Sequence, residues 1–361
     1  MEYLVDRHLL PNNKLLRRKF LDEYFSLDLI GFEELIGEHW KLTTFTPDSP
    51  EFYVDPLLEK NLKDWFEPVS ISEIGLYKRF YKNCMISFVD SWSLYFWSLI
   101  LKFHGSTLES NTNFTLFHVD DHKDHDTPLM HHSDGKYYSI LSQNLIDIFN
   151  PESVALIIKE KGISMGSFIS LLIHEVENID ILHLKYSTKK RVNEFYLDTI
   201  LTEDPLLMPG VKRPSLQLRD HELLTPDMPP SPHHYSISFD PEELVKKIKP
   251  ESIIFLHIDC DAFNNRYNGT SHWNPLSSSI DLDLSAIKRK VERLFKLISQ
   301  TTDKIYLNIA LSPAFFPSEY WKEILVYMLS KGDEYGIIKN DDLSLYLKNM
   351  HPNEMLNVFH S

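Results

Sequence analysis

Two short acidic runs carry the residues best suited to chemistry. The stretch FHVDDHKDHDTP, residues 117–128, holds three histidines and four aspartates. Asp120, His122 and Asp124 fall at alternate positions directly after the apolar run NFTLFHV. Alternation in an extended segment turns side chains to one side, so two carboxylates and one imidazole converge. The second run, SIIFLHIDCDAF, ends in Asp259-Cys260-Asp261, again directly after an apolar stretch. Carboxylates and imidazole together suit a hard-to-borderline divalent cation such as Mn²⁺. Five ligands, four of them anionic, exceed what one catalytic ion needs. Carboxylates can bridge, so the pattern predicts a two-metal site. A lone D-x-D decides nothing in an acidic chain: Asp281-Leu282-Asp283 precedes an amphipathic run and reads as a helix cap. The signal is the pair of motifs, each at the end of a strand.

Such a pair needs buried strands that end side by side. CMISFV, NFTLFHV, SIIFLHI and KIYLNIAL read as short apolar strands. Between them run SLYFWSLILKF, PESVALIIKEK with its proline at a helix start, SFISLLIHEVENIDILHL, SAIKRKVERLFKLISQ and SEYWKEILVYMLS, all read as helical. The fourth carries Ile287, Val291, Leu294 and Phe295 on one face. This rhythm predicts an α/β fold with an open, mostly parallel sheet buried on both faces. In such sheets ligand sites lie at the carboxyl ends of strands. The first 75 residues stand outside the rhythm: NNKLLRRKFLDEYFSLDLIGFEELI reads as helix-like, and a Pro- and Thr-containing stretch follows. Residues 203–235, with seven prolines, read as a structureless insertion, either a lid or binding loop or a surface excursion.

A net charge of −15 and a pI near 5.6 argue against a general nucleic-acid or anionic-membrane binder. The two cysteines, Cys84 and Cys260, sit in apolar strand-like runs and read as buried thiols. The opening MEYLVDRHLLPNN has no signal-peptide hydrophobic region, and the most apolar run, residues 93–103, is too short to span a bilayer. A cytoplasmic protein is expected.

The motifs resemble those of a known superfamily. HVDDHKDHDTPL is similar to the D-A-H-x-D signature of the ureohydrolases (arginases and agmatinases), and HIDCDAF to their later S-x-D-x-D signature. IALSPAFFP, residues 309–317, resembles a later strand and loop of that fold. ISMGSFI (163–169) and SFVDSWSLYFW (87–97) are closer to a divergent arginase-like family that includes peptide arginases, which convert arginine residues of ribosomal peptides to ornithine. The resemblance spans about residues 84–320. It implies a three-layer arginase/deacetylase-like fold and two Mn²⁺ ions. Asp120 and Asp259 would bridge the ions, His122 and Asp261 would complete one shell, and Asp124 would serve the other. The domain plan is then a 1–75 extension packed on a catalytic domain of residues 76–361. The implied activity is release of urea from arginine in a ribosomally made precursor peptide. His131 and His132, on the loop after the first motif, are the candidates for protonating the leaving amine.

The sequence departs from that pattern twice. Arginases carry a G-G-D-H-S element whose histidine is a ligand; the best register here, VDSWS, puts Trp92 in its place. His118 and His257, each two residues before a metal aspartate, are candidates to substitute. Arginases also grip the guanidinium with a glutamate, and Ala310 stands there. Asp126, Glu175 and Glu177 are the candidates to replace it. Two rival functions follow: a deacetylase or other amidohydrolase on the same fold, and a non-catalytic binding protein with a vestigial metal site.

Overall fold

The computed structural model describes residues 1–26, 29–105, 112–188, 192–220, 231–267 and 280–358. Three N-terminal strands, β1 (Glu2–Asp6), β2 (Leu29–Ile36) and β3 (His39–Phe45), form an antiparallel sheet in the order β1-β3-β2, with helix α1 (Lys14–Phe25) against β2. Twelve further strands make one large sheet: β4 (Lys78–Tyr81), β5 (Cys84–Ser87), β6 (Phe114–Val119), β7 (Met130–Ser133), β8 (Lys136–Ser139), β9 (Leu145–Ile146), β10 (Ile179–Leu184), β11 (Asn193–Glu203), β12 (Lys212–Asp220), β13 (His233–Ser238), β14 (Ile253–Asp259) and β15 (Ile305–Ala310). Their order is β4-β5-β15-β14-β6-β10-β13-β11-β12-β7-β8-β9. The remaining helices are α2 (Leu58–Lys63), α3 (Trp92–His104), α4 (Pro151–Lys159), α5 (Phe168–Glu175), α6 (Pro241–Val245), α7 (Leu284–Ile298), α8 (Trp321–Glu334) and α9 (Asp342–Met350).

The protein is a mixed α/β fold around a large central sheet, and the six strands from β5 to β13 in that order are all parallel. Every residue of β6, β10, β14 and β15 is buried. Strands without polar alternation, rich in Ile, Leu and Phe, must be covered on both faces. On one face Trp97 of α3 donates to Asn308 Oδ1 at 3.1 Å, and Phe168 of α5 lies edge-on to His257. On the other, Lys249, just past α6, pairs with Asp180 at 2.8 Å. Asp283 caps α7 by accepting from Ala286 N, as its position before that helix predicts. Cys84 and Cys260 are buried free thiols. Among the described residues, no helix is long and apolar enough to cross a membrane.

Three readings of the sequence change. The run 167–184 is not one helix: α5 stops at Glu175, Asn178 takes a positive φ of 56°, and IDILHL becomes β10, next to β6 in the sheet. A short apolar run has no periodicity that separates buried helix from buried strand. Likewise the helix-like run 12–36 breaks at Ser26 (φ 48°), so that its second half is β2. The proline-rich stretch 203–235 is not structureless either. β11 and β12 pair antiparallel over nine residue pairs, and β13 begins at His233. Its central residues 221–230 lie outside the described residues.

The N-terminal 75 residues join the rest in two ways. Phe52, Leu58, Leu62, Trp65 and Ile74 belong to the main core. The first sheet and α1 enclose a smaller core in which Val5, Leu21, Phe25 and Leu42 meet Leu129, Ile140 and Leu206. A buried polar node locks this junction. Arg213 and Asp204, 3% and 2% exposed, pair at 3.2 Å; Tyr24 of α1 donates to the same carboxylate at 2.8 Å; Arg213 also donates to the carbonyls of Thr127 and Pro128. Removing one partner of a buried pair strands the other's charge. Arg213→Ala should therefore lower unfolding stability by about 3–5 kcal/mol in a denaturant titration, well above the cost of changing an exposed arginine such as Arg289.

Candidate metal centre

Register across the parallel strands explains how the site is built. His257 of β14 lies beside His118 of β6 on one side and Asn308 of β15 on the other; His118 lies beside His183 of β10. Two residues further along each strand, on the same face, come Ala310, Asp259, Asp120 and Lys185. A buried row of polar rings therefore underlies the two motif aspartates at the carboxyl edge.

The motif residues converge there. Ligand-capable atoms of Asp120, His122 and Asp261 lie within 4.8 Å of one another; so do those of Asp90, Asp120 and Asp259, and of His118, Asp120 and His257. His122 Nδ1 is 2.8 Å from Asp261 Oδ2 and 3.5 Å from Asp120 Oδ1. Asp124, held at a positive φ of 51°, turns Oδ2 to within 3.5 Å of His118 Nε2. Four of the five predicted ligands, Asp120, Asp124, Asp259 and Asp261, are buried, and His122 keeps 28% of its side chain exposed. Phe315 packs against that imidazole.

The backbone satisfies some of these oxygens. His122 N donates to Asp120 Oδ1 at 2.5 Å, Asp261 N to Asp259 Oδ1 at 2.9 Å, Asp121 N to Asp261 Oδ1 at 3.1 Å, and Ser312 Oγ to Asp259 Oδ2 at 2.5 Å. Others remain without a hydrogen bond: Asp90 Oδ1, Asp120 Oδ2 and Asp124 Oδ2. Burying unpaired carboxylate oxygens is costly, and a cation removes that cost. The donor set fits a divalent ion: Asp120 groups with His118 and His257, with His122 and Asp261, and with Asp90 and Asp259, and such groups could hold one.

The electrostatics say the same. Burial pushes Asp90, Asp124 and Asp259 above the ordinary carboxylate range, and neighbouring carboxylates push the same way. Asp261 is pushed up to about 7, by burial first and then by Asp120. Burial also opposes charge on Asp120, yet His118, His122 and His257 together hold it below the usual range. Burial likewise opposes charge on His122, and Asp261 and Asp120 outweigh it to raise that imidazole. Too many carboxylates share one volume for all to ionise without added positive charge.

His118 and His257 have distinct roles. Their Nδ1 atoms are 2.8 Å apart, and His118 Nε2 is 3.2 Å from the carbonyl of His122. A carbonyl only accepts, so a neutral His118 carries its proton on Nε2 and accepts at Nδ1 from His257. Burial keeps both rings neutral, lowering His257 to about 3. His257 Nε2 is then a bare lone pair, buried and without a partner. Of the two, His257 offers the free donor atom, while His118 braces the turn that carries His122.

The structure does not bring the other candidates to this site. His131 and His132 lie on β7, separated from β6 by four intervening strands. His131 bonds to Gln143 and stacks on Tyr138; His132 packs on Tyr137. Glu175 ends α5, and Glu177 is exposed in the turn before β10. Ile179 opens β10 beside Phe114, the first residue of β6, so both glutamates sit at the amino edge of the sheet. A strand of six residues, about 20 Å, separates them from Asp120. Asp126 alone stays near: it is exposed, within electrostatic reach of Glu23 on α1 and of His122. Trp92 is fully buried and donates to Gly75 O at 2.9 Å, outside the cluster. Asp90, two residues before it, is the member of the cluster that motif reading missed. It follows the strand CMISFV as the motif aspartates follow theirs, and that position was its signal.

Comparison with family models and with curated proteins gives no significant match to either. Chemistry at this edge therefore rests on the residues. A ligand bound only by the folded chain stabilises it by about 2.7 kcal/mol at a hundredfold excess over its Kd. Added Mn²⁺ should raise the thermal midpoint of the native protein, and Asp120→Asn should abolish the rise; scanning calorimetry with and without the ion checks both.

Proposed function

We propose that the protein is a Mn²⁺-dependent ureohydrolase that converts arginine residues of a ribosomally made precursor peptide to ornithine, on a three-layer arginase-like fold. The observation that carries this reading is the convergence of Asp120, His122, Asp124, Asp259 and Asp261 at one parallel-sheet edge, with buried carboxylate oxygens that have no partner. Asp120 and Asp259 are the bridging candidates, since ligand atoms of both fall in one group within 4.8 Å. When bound, a pair of divalent ions supplies water of lowered pKa and neutralises charge that develops in the reaction.

The chain's own residues do the rest. Ser312 fixes Asp259 by donating to Oδ2, and His183, 3.0 Å from the carbonyl of Asp120, holds the end of β6. Asp121 ties three strand-end loops together: Ser187 and Asn265 donate to its carboxylate, and Lys185 bonds its carbonyl. The one partly exposed cluster residue, His122, marks the side from which a side chain enters. Exposed Asp126 at this rim, with Glu23 nearby, attracts a cationic guanidinium and replaces the glutamate absent at Ala310. A peptide substrate is supported by the N-terminal sheet, whose strands β1 and β2 each leave one edge unpaired among the described residues. Extended peptides add to such edges.

Ala310 also favours a second reading, an amidohydrolase of the deacetylase type, which needs no guanidinium grip. The two separate on products. Incubation with an arginine-containing precursor peptide should release urea and leave a peptide lighter by CH2N2 per arginine. Acetate release from an acetylated lysine peptide, without urea, would establish the rival. Asp120→Ala and Asp259→Ala should each eliminate the urea signal, and full activity in either variant contradicts the assignment.

A further inference from the structure

Asp90 changes the character of the cluster. It stands on the loop after β5, and β15 lies between β5 and β14 in the sheet. The residue of β15 level with Asp259 is Ala310, itself beside Ser87 of β5. From the loop beside it, the Asp90 carboxylate comes within 4.8 Å of ligand atoms of Asp120 and Asp259. These three carboxylates face one volume, and the free Nε2 of His257, two residues before Asp259, lies on the same strand face. His122 and Asp261 face a second volume and share Asp120 with the first. Independent of the acidic grouping itself, Asp90 Oδ1 is a buried atom with no partner, on a side chain only 3% exposed.

We propose that Asp90 is a metal ligand, and that with Asp120 and Asp259 it holds one of two ion positions while His122 and Asp261 hold the other. The proposal rests on the reading that this edge binds a pair of ions. An aspartate from the loop after β5 thus takes the part that Trp92, two residues on, cannot play. Without the Asp90 carboxylate one position loses an anionic ligand, and the other keeps all of its own.

The test is metal content by mass spectrometry of the purified full chain, with electron paramagnetic resonance of the Mn²⁺ form. Wild-type protein should hold two Mn²⁺ with an exchange-coupled spectrum. Asp90→Ala should hold one Mn²⁺ with the spectrum of an isolated ion. Asp90→Asn, which keeps the shape and removes the charge, should do the same and guards against a packing defect; circular dichroism reports the fold of both. Two coupled Mn²⁺ ions in both Asp90→Ala and Asp90→Asn would overturn the role of Asp90 and leave the metal site standing. A wild-type chain that takes up no ion overturns the metal site and this inference together.

Discussion

The cost of burying several carboxylates in one volume governs this structure. Asp90, Asp120, Asp124, Asp259 and Asp261 are each at most 5% exposed. Ionised carboxylates at such depth need compensation from dipoles, protons or cations. Backbone amides provide part of it. Those of residues 121, 122 and 261 each point at a motif carboxylate, because the chain turns immediately past the strand ends. His122 supplies more, and a cation could supply the rest. That division explains why the carboxylates pull in opposite directions. The neighbouring imidazoles hold Asp120 below the usual carboxylate range, while burial and mutual repulsion push Asp90, Asp124 and Asp259 above it.

A site of this kind needs a stiff base, and the polar row beneath it is one. Asn308 accepts from Trp97 and donates to Ser93, which fixes the amide orientation. His118 and His257 share a hydrogen bond, and His183 joins Tyr235 at 2.5 Å and the carbonyl of Asp120. Each ring in the row lies two residues below an edge position, so its tautomer is coupled to the backbone that presents the ligands. Fully bonded buried networks of this sort specify one arrangement; partly bonded ones do not. The atom left unbonded, His257 Nε2, is therefore informative. It stands directly below Asp259 on the same strand face, where an ion could use it.

The convergence of the motif residues was legible in the sequence because the physics there is local. A buried strand is a continuous apolar run, and alternation past its end decides which residues share a side. The strands around β6, β14 and β15 and the caps of α4 and α7 were legible for the same reason. What failed was non-local. β10 hid within a run read as helix, because six apolar-rich residues carry no decisive period. His131 and His132 lie close to Asp120 in the chain but on β7, which pairs with β12 on the far antiparallel part of the sheet. Glu175 ends a helix whose other end meets the site, and Glu177 lies in the turn just past it, so helix length placed both at the opposite edge. Asp90 could be found only by treating the CMISFV strand like the other two, since its partners are 30 and 169 residues away.

The N-terminal module follows from the same placement. Its small core closes on Leu129, five residues past Asp124, and the Arg213–Asp204–Tyr24 node holds the carbonyls of Thr127 and Pro128 between them. The segment joining metal motif to module is thus pinned at both ends, by Asp124 in the cluster and by Arg213 beneath α1. Movement of α1 would be felt at Asp126 before it was felt at Asp120, because the strand end is braced from below and the rim is not. An extension attached to this segment can therefore shape what enters the site while leaving the carboxylate geometry unchanged. The carboxylate cluster and its rim are adjacent parts of one chain, but they are held by different contacts.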